Sequence, residues 1–501
     1  MALLSWILDD SGRINLYPVA VLLSLLLVTF TLFSGKKPSK IVDAVGNPIL
    51  TLPGDARVAK FIASAQLSEQ GRLLAGDKPY LVNTSARQEL VVTRPEHVRG
   101  FYKDDTSAHT KPENLNLGSF FGLILGDAVG TKDGERWKVM RKYFDPEFSY
   151  QTSRSAFARV KSGTDEWSRS LPAHALAKSD DSPGFLYDAK KSCRFLPFRL
   201  MATQLYGDTL DDQEYDRLLE LNKLHEVLFR DIVLNTKLAS RWAWLTHPAA
   251  FKRARRYNQQ WEQFNLDLIR RAASTGTDCP AGRIFRGTED VGGMTKTEFL
   301  HTMDEILFAN IDVSAAVLYT MLGKLAAHPV AQGHLREEIS SIAFREDDNA
   351  VKNYIADQNT ILHRTVVESM RFSPAFAFSL PECTTKPKSI GGYLVPRDTP
   401  VVIDAGRLNT DPLTWGTSAL DFCPGRFEKV TALECRYQLM RYGIGGNSGR
   451  CLGKHFADMI FKLAVVTVLQ RYQIRTARDA YTDGAQEGVI RLLDILERTG
   501  P

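Results

Sequence analysis

The apolar and polar positions change rhythm several times along the 501 residues, and each change predicts an element. Residues 16 to 33, LYPVAVLLSLLLVTFTLF, are 18 uncharged residues in a row. As a helix they reach about 27 Å, enough to cross the hydrocarbon core of a bilayer. KPYLVNTSARQELVVT, residues 78 to 93, reads as a pair of strands. Helical spacing then dominates from about residue 95 to 372 and includes a long helix over 297 to 327. The polar, glycine-rich stretch STGTDCPAGRIFRGTEDVGG, 274 to 293, predicts a long loop between two helical blocks. SIGGYLVPRDTPVVID predicts a short β-rich stretch, and a last helix opens just after Cys451. The expected fold class is mainly α with small β-sheets.

Charge places the first of these elements. Asp9 and Asp10 precede the apolar run, and Lys36, Lys37 and Lys40 follow it, which leaves the rest of the chain cytosolic. The run is long for the apolar part of a signal peptide, and SGKKPSK offers no cleavage site. The expected organisation is a short lumenal segment at 1–15, a transmembrane anchor at 16–33, a proline-punctuated linker at 34–49 and one large domain at 50–501. At 44% hydrophobic residues that domain has ample core. A net charge of +5, without a basic stripe interleaved with aromatics, argues against nucleic acid. The six cysteines form no CxxC pair, so neither a zinc site nor a disulfide framework is expected.

One cysteine stands apart. YGIGGNSGRCLGKHFADMIFK, 442 to 462, sets Gly445, Gly446, Gly449 and Gly453 around Cys451. Glycines let a backbone approach a flat ligand closely, and the helix that follows points its positive dipole end at the sulfur. Both favour a thiolate, which is what an axial ligand of haem iron requires. The loop resembles that of the cytochrome P-450 family of haem-thiolate monooxygenases, F-G-x-G-x-R-x-C-x-G. Cys451 and Gly453 match. Gly449 stands where the family has arginine, with Arg450 displaced by one place, and Ile444 stands at the aromatic position, with Tyr442 two further out. The resemblance implies haem b ligated by Cys451, with Gly445 and Arg450 beside it.

Four further motifs carry the same resemblance. Glu368 and Arg371 in VVESMRF form the E-x-x-R pair, and Arg426 in PGRF is the family's third member of a buried Glu-Arg-Arg network. Trp137 and Arg141 in ERWKVMRK match the W-x-x-x-R pair that binds a haem propionate, where a guanidinium suits a carboxylate. The apolar helix containing EILFANIDVSAAVLYTML resembles the oxygen-binding helix A-G-x-[DE]-T-[TS]. Ala309, Asp312 and Ser314 match, Asn310 replaces the glycine, and Val313 replaces the alcohol of the proton relay. An aspartate in such an apolar helix must be paired, solvated or functional.

The family implies a single large haem-thiolate domain behind its N-terminal anchor, in the endoplasmic reticulum membrane and facing the cytosol. Its catalytic residues would be Asp312, Ser314 and Asn310, and its substrate pocket Phe120, Phe121, Phe308, Ala309, Val313, Ala375 and Phe378. The expected activity is oxidation of a small lipophilic or peptide-derived secondary metabolite, as in fungal natural-product enzymes, with O2 and electrons from NADPH–cytochrome P-450 reductase. Lys142, Lys454 and Lys462 would form a basic rim for that partner. Because Val313 carries no hydroxyl, dehydrogenation, coupling or cyclisation are alternative outcomes. So are a reductase-independent isomerase or dehydratase acting on a peroxide, and a membrane haem-binding protein without turnover.

Overall fold

A computed structural model describes residues 41–477 and 489–494, apart from 85–86, 104–108, 179–183, 343, 345–346, 432 and 445–449. The anchor expected at 16–33 lies outside the described residues, as do Gly445, Gly446 and Gly449 of the cysteine loop. Two compact units divide at Pro48. In the first, Val42 bridges Pro48 across a turn that Asp43 closes by accepting the N–H groups of Val45 and Asn47.

The second unit begins at Ile49. The strand pair read at 78 to 93 forms as Tyr80–Thr84 and Arg87–Val92, antiparallel with Tyr80 opposite Val91. The second strand pairs in parallel with Pro400–Ile403, which also pairs with Glu382–Cys383. Near-continuous burial from Leu90 to Val92 and from Val401 to Ile403 marks these as strands covered on both faces. A second sheet orders Tyr472–Thr476, Val489–Asp494, Phe185–Asp188 and Ala175–Lys178, joining chain far apart in sequence.

The helices carry clear start and stop signals. Thr295 and Glu298 form a reciprocal capping box at the start of Lys296–Asp304, and Gly276 closes Pro248–Thr275 at φ 67°. The glycine-rich stretch after it is not one loop. Pro280–Phe285 is helical, because a proline in the first turn is preorganised for it and Ala281 and Ile284 are buried.

The helix expected at 297 to 327 is interrupted. Lys296–Asp304 passes into a π-helical turn at Glu305–Ala309 and resumes as Ile311–Ala327. A π turn displaces the ladder and leaves a carbonyl without its usual partner. Here the Asn310 side-chain amide donates to the Glu305 carbonyl, and the Ser314 N–H donates to the Asn310 carbonyl at 3.1 Å, restarting the α ladder. This broken helix is the spine of the domain. Its first half packs in one hydrophobic cluster with Trp261 and Phe264, and its second half in another with the helix Lys454–Arg471. It is also apolar enough to cross a membrane by length and composition, but its buried neighbours on both sides identify it as a core helix.

Candidate active site

The backbone on both sides of the cysteine loop is tied down. Tyr442 adopts φ 56°, uncommon for a residue with a side chain, and its carbonyl accepts the Cys451 N–H at 2.9 Å. Beyond the cysteine, Gly453 caps Lys454–Arg471 and its carbonyl accepts the Ala457 N–H. Solvent reaches Cys451. Even so, desolvation pushes its thiol pKa up, against the opposing pull of the Gly453 N–H and the Arg141 and Lys454 charges. The Glu305 charge adds to the upward push, so Cys451 lies within electrostatic reach of Arg141 on one helix and Glu305 on another.

The spine helix supplies Glu305, whose charge acts on the Cys451 thiol. Glu305, Ala309 and Val313, spaced four apart, are half-buried, whereas Leu307, Phe308, Ile311 and Ala315 around them are buried. Glu305 shares the character of Cys451. Burial raises its carboxyl pKa, while the Gly130 N–H at 3.0 Å and the Lys111 charge pull the other way. Lys111 is half-buried, with Nζ 2.5 Å from the Gly130 carbonyl. On the helix Gly134–Phe144, the Arg141 guanidinium lies 5.1 Å from the Trp137 ring centroid and donates to the Arg450 carbonyl at 3.3 Å. The Trp137–Arg141 pair therefore meets the cysteine loop, while the Arg450 residue itself is exposed. These residues fit a haem: one exposed sulfur, with one guanidinium and one indole on the helix that meets its loop.

A model of the cytochrome P450 family matches residues 77–490. The chain belongs to the cytochrome P450 family. "Cytochrome P450 monooxygenase apdB" of Emericella nidulans is 44% identical over 472 residues, 91% of each chain. "Cytochrome P450 monooxygenase opdB" of Penicillium oxalicum is 40% identical over 97% of each. "Cytochrome P450 monooxygenase lepD" of Aspergillus flavus is 39% identical over 84% of this chain and 82% of its own. Members are oxidoreductases that hold iron protoporphyrin by a cysteine thiolate.

The three network residues of this P450 meet. Glu368 and Arg371 are fully buried and joined by two bonds of 2.8 and 2.9 Å, and Arg426 Nε lies 3.5 Å from the same carboxylate. Arg371 also donates to the carbonyls of Asn409 and Ala419, and Glu368 accepts the Cys423 N–H at 2.9 Å. Asn409, which sequence reasoning missed, extends this network. Its side chain donates to the Met440 carbonyl at 3.3 Å and accepts the Met440 N–H at 2.8 Å, two residues before Tyr442.

The relay residues divide between two faces of one helix. Asp312 is exposed and held by Arg194, with Nε 2.6 Å from Oδ1. Asn310 and Ser314 line a cavity of about 30 Å³, room for a water, against Ala457 and Phe461 of the cysteine-side helix. The structure thus separates Asp312 from Ser314 and Asn310.

The pocket residues also divide. Ala309, Val313 and Ala375 are half-buried. Phe308, sharing the Asp312 side of the helix, fills an aromatic cluster with Trp261 at 5.0 Å and His225 at 5.3 Å. Phe120 and Phe121 are buried, the former edge-on to Phe251, and Phe378 packs against Tyr80 and Val402 in the sheet core. Phe120, Phe121 and Phe308 belong to the hydrophobic cluster against which the half-buried Ala309, Trp137, Leu380 and Leu452 pack. The expected basic rim loses one member: Lys462 is buried, with Nζ 2.8 Å from the Ile355 carbonyl and 3.0 Å from Asp458, while Lys142 is exposed.

Proposed function

We propose that this P450 oxidises a small lipophilic or peptide-derived secondary metabolite, with Cys451 as the haem ligand and electrons from an NADPH-dependent P450 reductase. The observation that carries the reading is Cys451, exposed to solvent and within reach of the charges of Arg141 and of Glu305 on the spine helix; the chamber for haem and substrate then lies between the cysteine and the half-buried Ala309 and Val313. Bound haem supplies oxygen activation there. The chain's own residues do the rest. Trp137 and Arg141 hold a carboxylate of the cofactor, and the Glu368–Arg371–Arg426 set, through Asn409, holds the segment entering the cysteine loop. Ala309, Val313, Ala375 and Leu380 present an apolar face that excludes water and takes an apolar substrate.

Proton delivery falls to Asp312 and Ser314, because Val313 neither donates nor accepts. The exposed Asp312 exchanges protons with solvent, and Ser314 with Asn310 holds a water on the cysteine-side face of the helix. Residues 16–33 anchor the chain as a single pass in the endoplasmic reticulum membrane, with the catalytic domain in the cytosol. The test is the full chain in reductase-containing membranes, supplied with extracts of a strain lacking this enzyme. A thiolate-type carbon monoxide band and NADPH-dependent loss of one metabolite are expected. Turnover of a peroxide without reductase would replace this reading by an isomerase or dehydratase.

A further inference from the structure

A second cavity, of about 220 Å³, opens on the other side of Tyr442, between the helix Tyr150–Ser155, the segment after Lys352, and the first turns of Lys454–Arg471. Five buried polar atoms on its wall have no hydrogen-bond partner among the described residues: Ser153 Oγ, His363 Nδ1, Arg441 Nη1, Tyr442 Oη and Asp458 Oδ1. Orphaned buried polar atoms are scarce in folded proteins. Five on one wall mark a space built around a polar occupant, and Ser153, at 3% exposure, is not there for solvent.

Charge says which occupant. Arg154, Lys352, Arg441, Lys454 and Lys462 line the cavity against one carboxylate, Asp458. Asp458 already sits 3.0 Å from Lys462, and Arg154 spends its bonds on the neutral Tyr150 hydroxyl and Asn353 amide. The N-terminus of the 18-residue helix Lys454–Arg471 adds positive potential. His363 is neutral at pH 7, since burial, then the Lys462 charge, pushes its pKa down to about 4. Its Nδ1 still donates in the matching tautomer.

We propose that this cavity is a binding site for a singly protonated phosphate group, either free monohydrogen phosphate or the monoanionic monoester of a small metabolite. Arg441 Nη1, His363 Nδ1 and the hydroxyls of Ser153 and Tyr442 donate to its oxygens. Asp458 Oδ1 accepts from the one hydroxyl that either form retains. That acceptor discriminates, because sulfate has no proton to offer it. The site communicates with the haem ligand through one residue: Tyr442 presents its hydroxyl to the cavity, while its carbonyl accepts the Cys451 N–H.

The haem-loaded full chain in detergent is titrated calorimetrically with inorganic phosphate, glycerol 3-phosphate and sulfate at matched ionic strength. Phosphate is expected to bind with Kd below about 1 mM and at least about tenfold more tightly than sulfate, and Asp458→Asn is expected to erase that preference. Tighter binding of glycerol 3-phosphate than of phosphate assigns the site to a metabolite, and the reverse assigns it to the free ion. Arg441→Gln and, on the rim, Lys352→Gln each weaken binding, the second serving if the first does not fold. Equal heats for phosphate and sulfate overturn the proposal. So does a null titration combined with slower reductase-driven haem reduction in Lys352→Gln, which would show that a protein carboxylate fills the cavity instead.

Discussion

Arg194 Nε donates to Asp312 Oδ1 at 2.6 Å, and Arg194 Nη2 reaches Glu226 at 2.7 Å, so one guanidinium joins the spine helix to Asp212–Leu234. If Asp312 delivers protons, Arg194 sets where it stands. Asp312→Asn keeps the shape and removes the acid. Turnover is expected to fall at least about tenfold with haem content unchanged. Arg194→Gln leaves the acid but frees it, and a smaller loss of rate with more hydrogen peroxide per NADPH is expected. A wild-type rate and coupling in Asp312→Asn would remove this residue from the proton path.

The buried Glu368–Arg371 pair calls for a different readout. Removing one partner strands the other charge in the core, at a cost of about 3–5 kcal/mol. Glu368→Leu and Arg371→Ala are therefore expected to reduce haem per chain severely. Asn409→Ala cuts two bonds to Met440, each worth about 1 kcal/mol, and is expected to lower haem retention on dilution while the protein still folds. Carbon monoxide difference spectra per milligram of purified chain compare the three. Full haem content in Arg371→Ala would show that the network does not hold the cysteine loop.

The contrast between these two sites shows what was legible in the sequence. Glu368, Arg371 and Arg426 were readable because short motifs fix charge chemistry at fixed spacing, and the strand pair at 80 to 92 because two short apolar runs, YLV and LVV, flank a polar turn. The packing of Phe308 among Phe198, His225 and Trp261 was not, because which neighbours a helix face meets depends on elements distant in sequence. Lys462 failed for the same reason: a lysine is buried only when a carbonyl such as that of Ile355 waits for it. The π turn at Glu305–Ala309 had one local sign, the amide of Asn310 in place of a glycine.

Acid stability follows from His97, 4% exposed on the helix Pro95–Tyr102. Burial pushes its pKa from 6.5 down to about 4, with the Glu96 charge opposing. Between those values the unfolded chain binds the proton and the folded chain does not. The associated stability is present above pH 6.5 and is lost as pH falls toward 4, up to about 3 kcal/mol. His363, also pushed down to about 4, acts in the same direction. His97→Gln is expected to flatten the fall of the thermal midpoint between pH 6.5 and 4.5, measured on the detergent-solubilised chain. A parallel curve for the variant would mean that His97 is already protonated in the folded protein.

Val313 offers the most direct test of what the missing hydroxyl does. It is half-buried on the chamber side of the helix Ile311–Ala327, so Val313→Thr adds a hydroxyl at nearly constant volume where the side chain is not sealed in the core. The new hydroxyl can bond to the carbonyl four residues back, at Ala309, which bounds the loss of stability. From that position it faces the chamber, whereas Ser314 faces Ala457 and Asp312 faces Arg194. If the natural reaction lacks a proton donor on the chamber face, the variant is expected to lower peroxide per NADPH and to shift products toward simple hydroxylation. Product masses under isotopically labelled dioxygen separate an inserted oxygen from a dehydrogenated or coupled product. Unchanged products and unchanged peroxide in a well-folded Val313→Thr enzyme would mean that protons reach the chamber without a side chain at this position, leaving the path to Asp312, Ser314 and water.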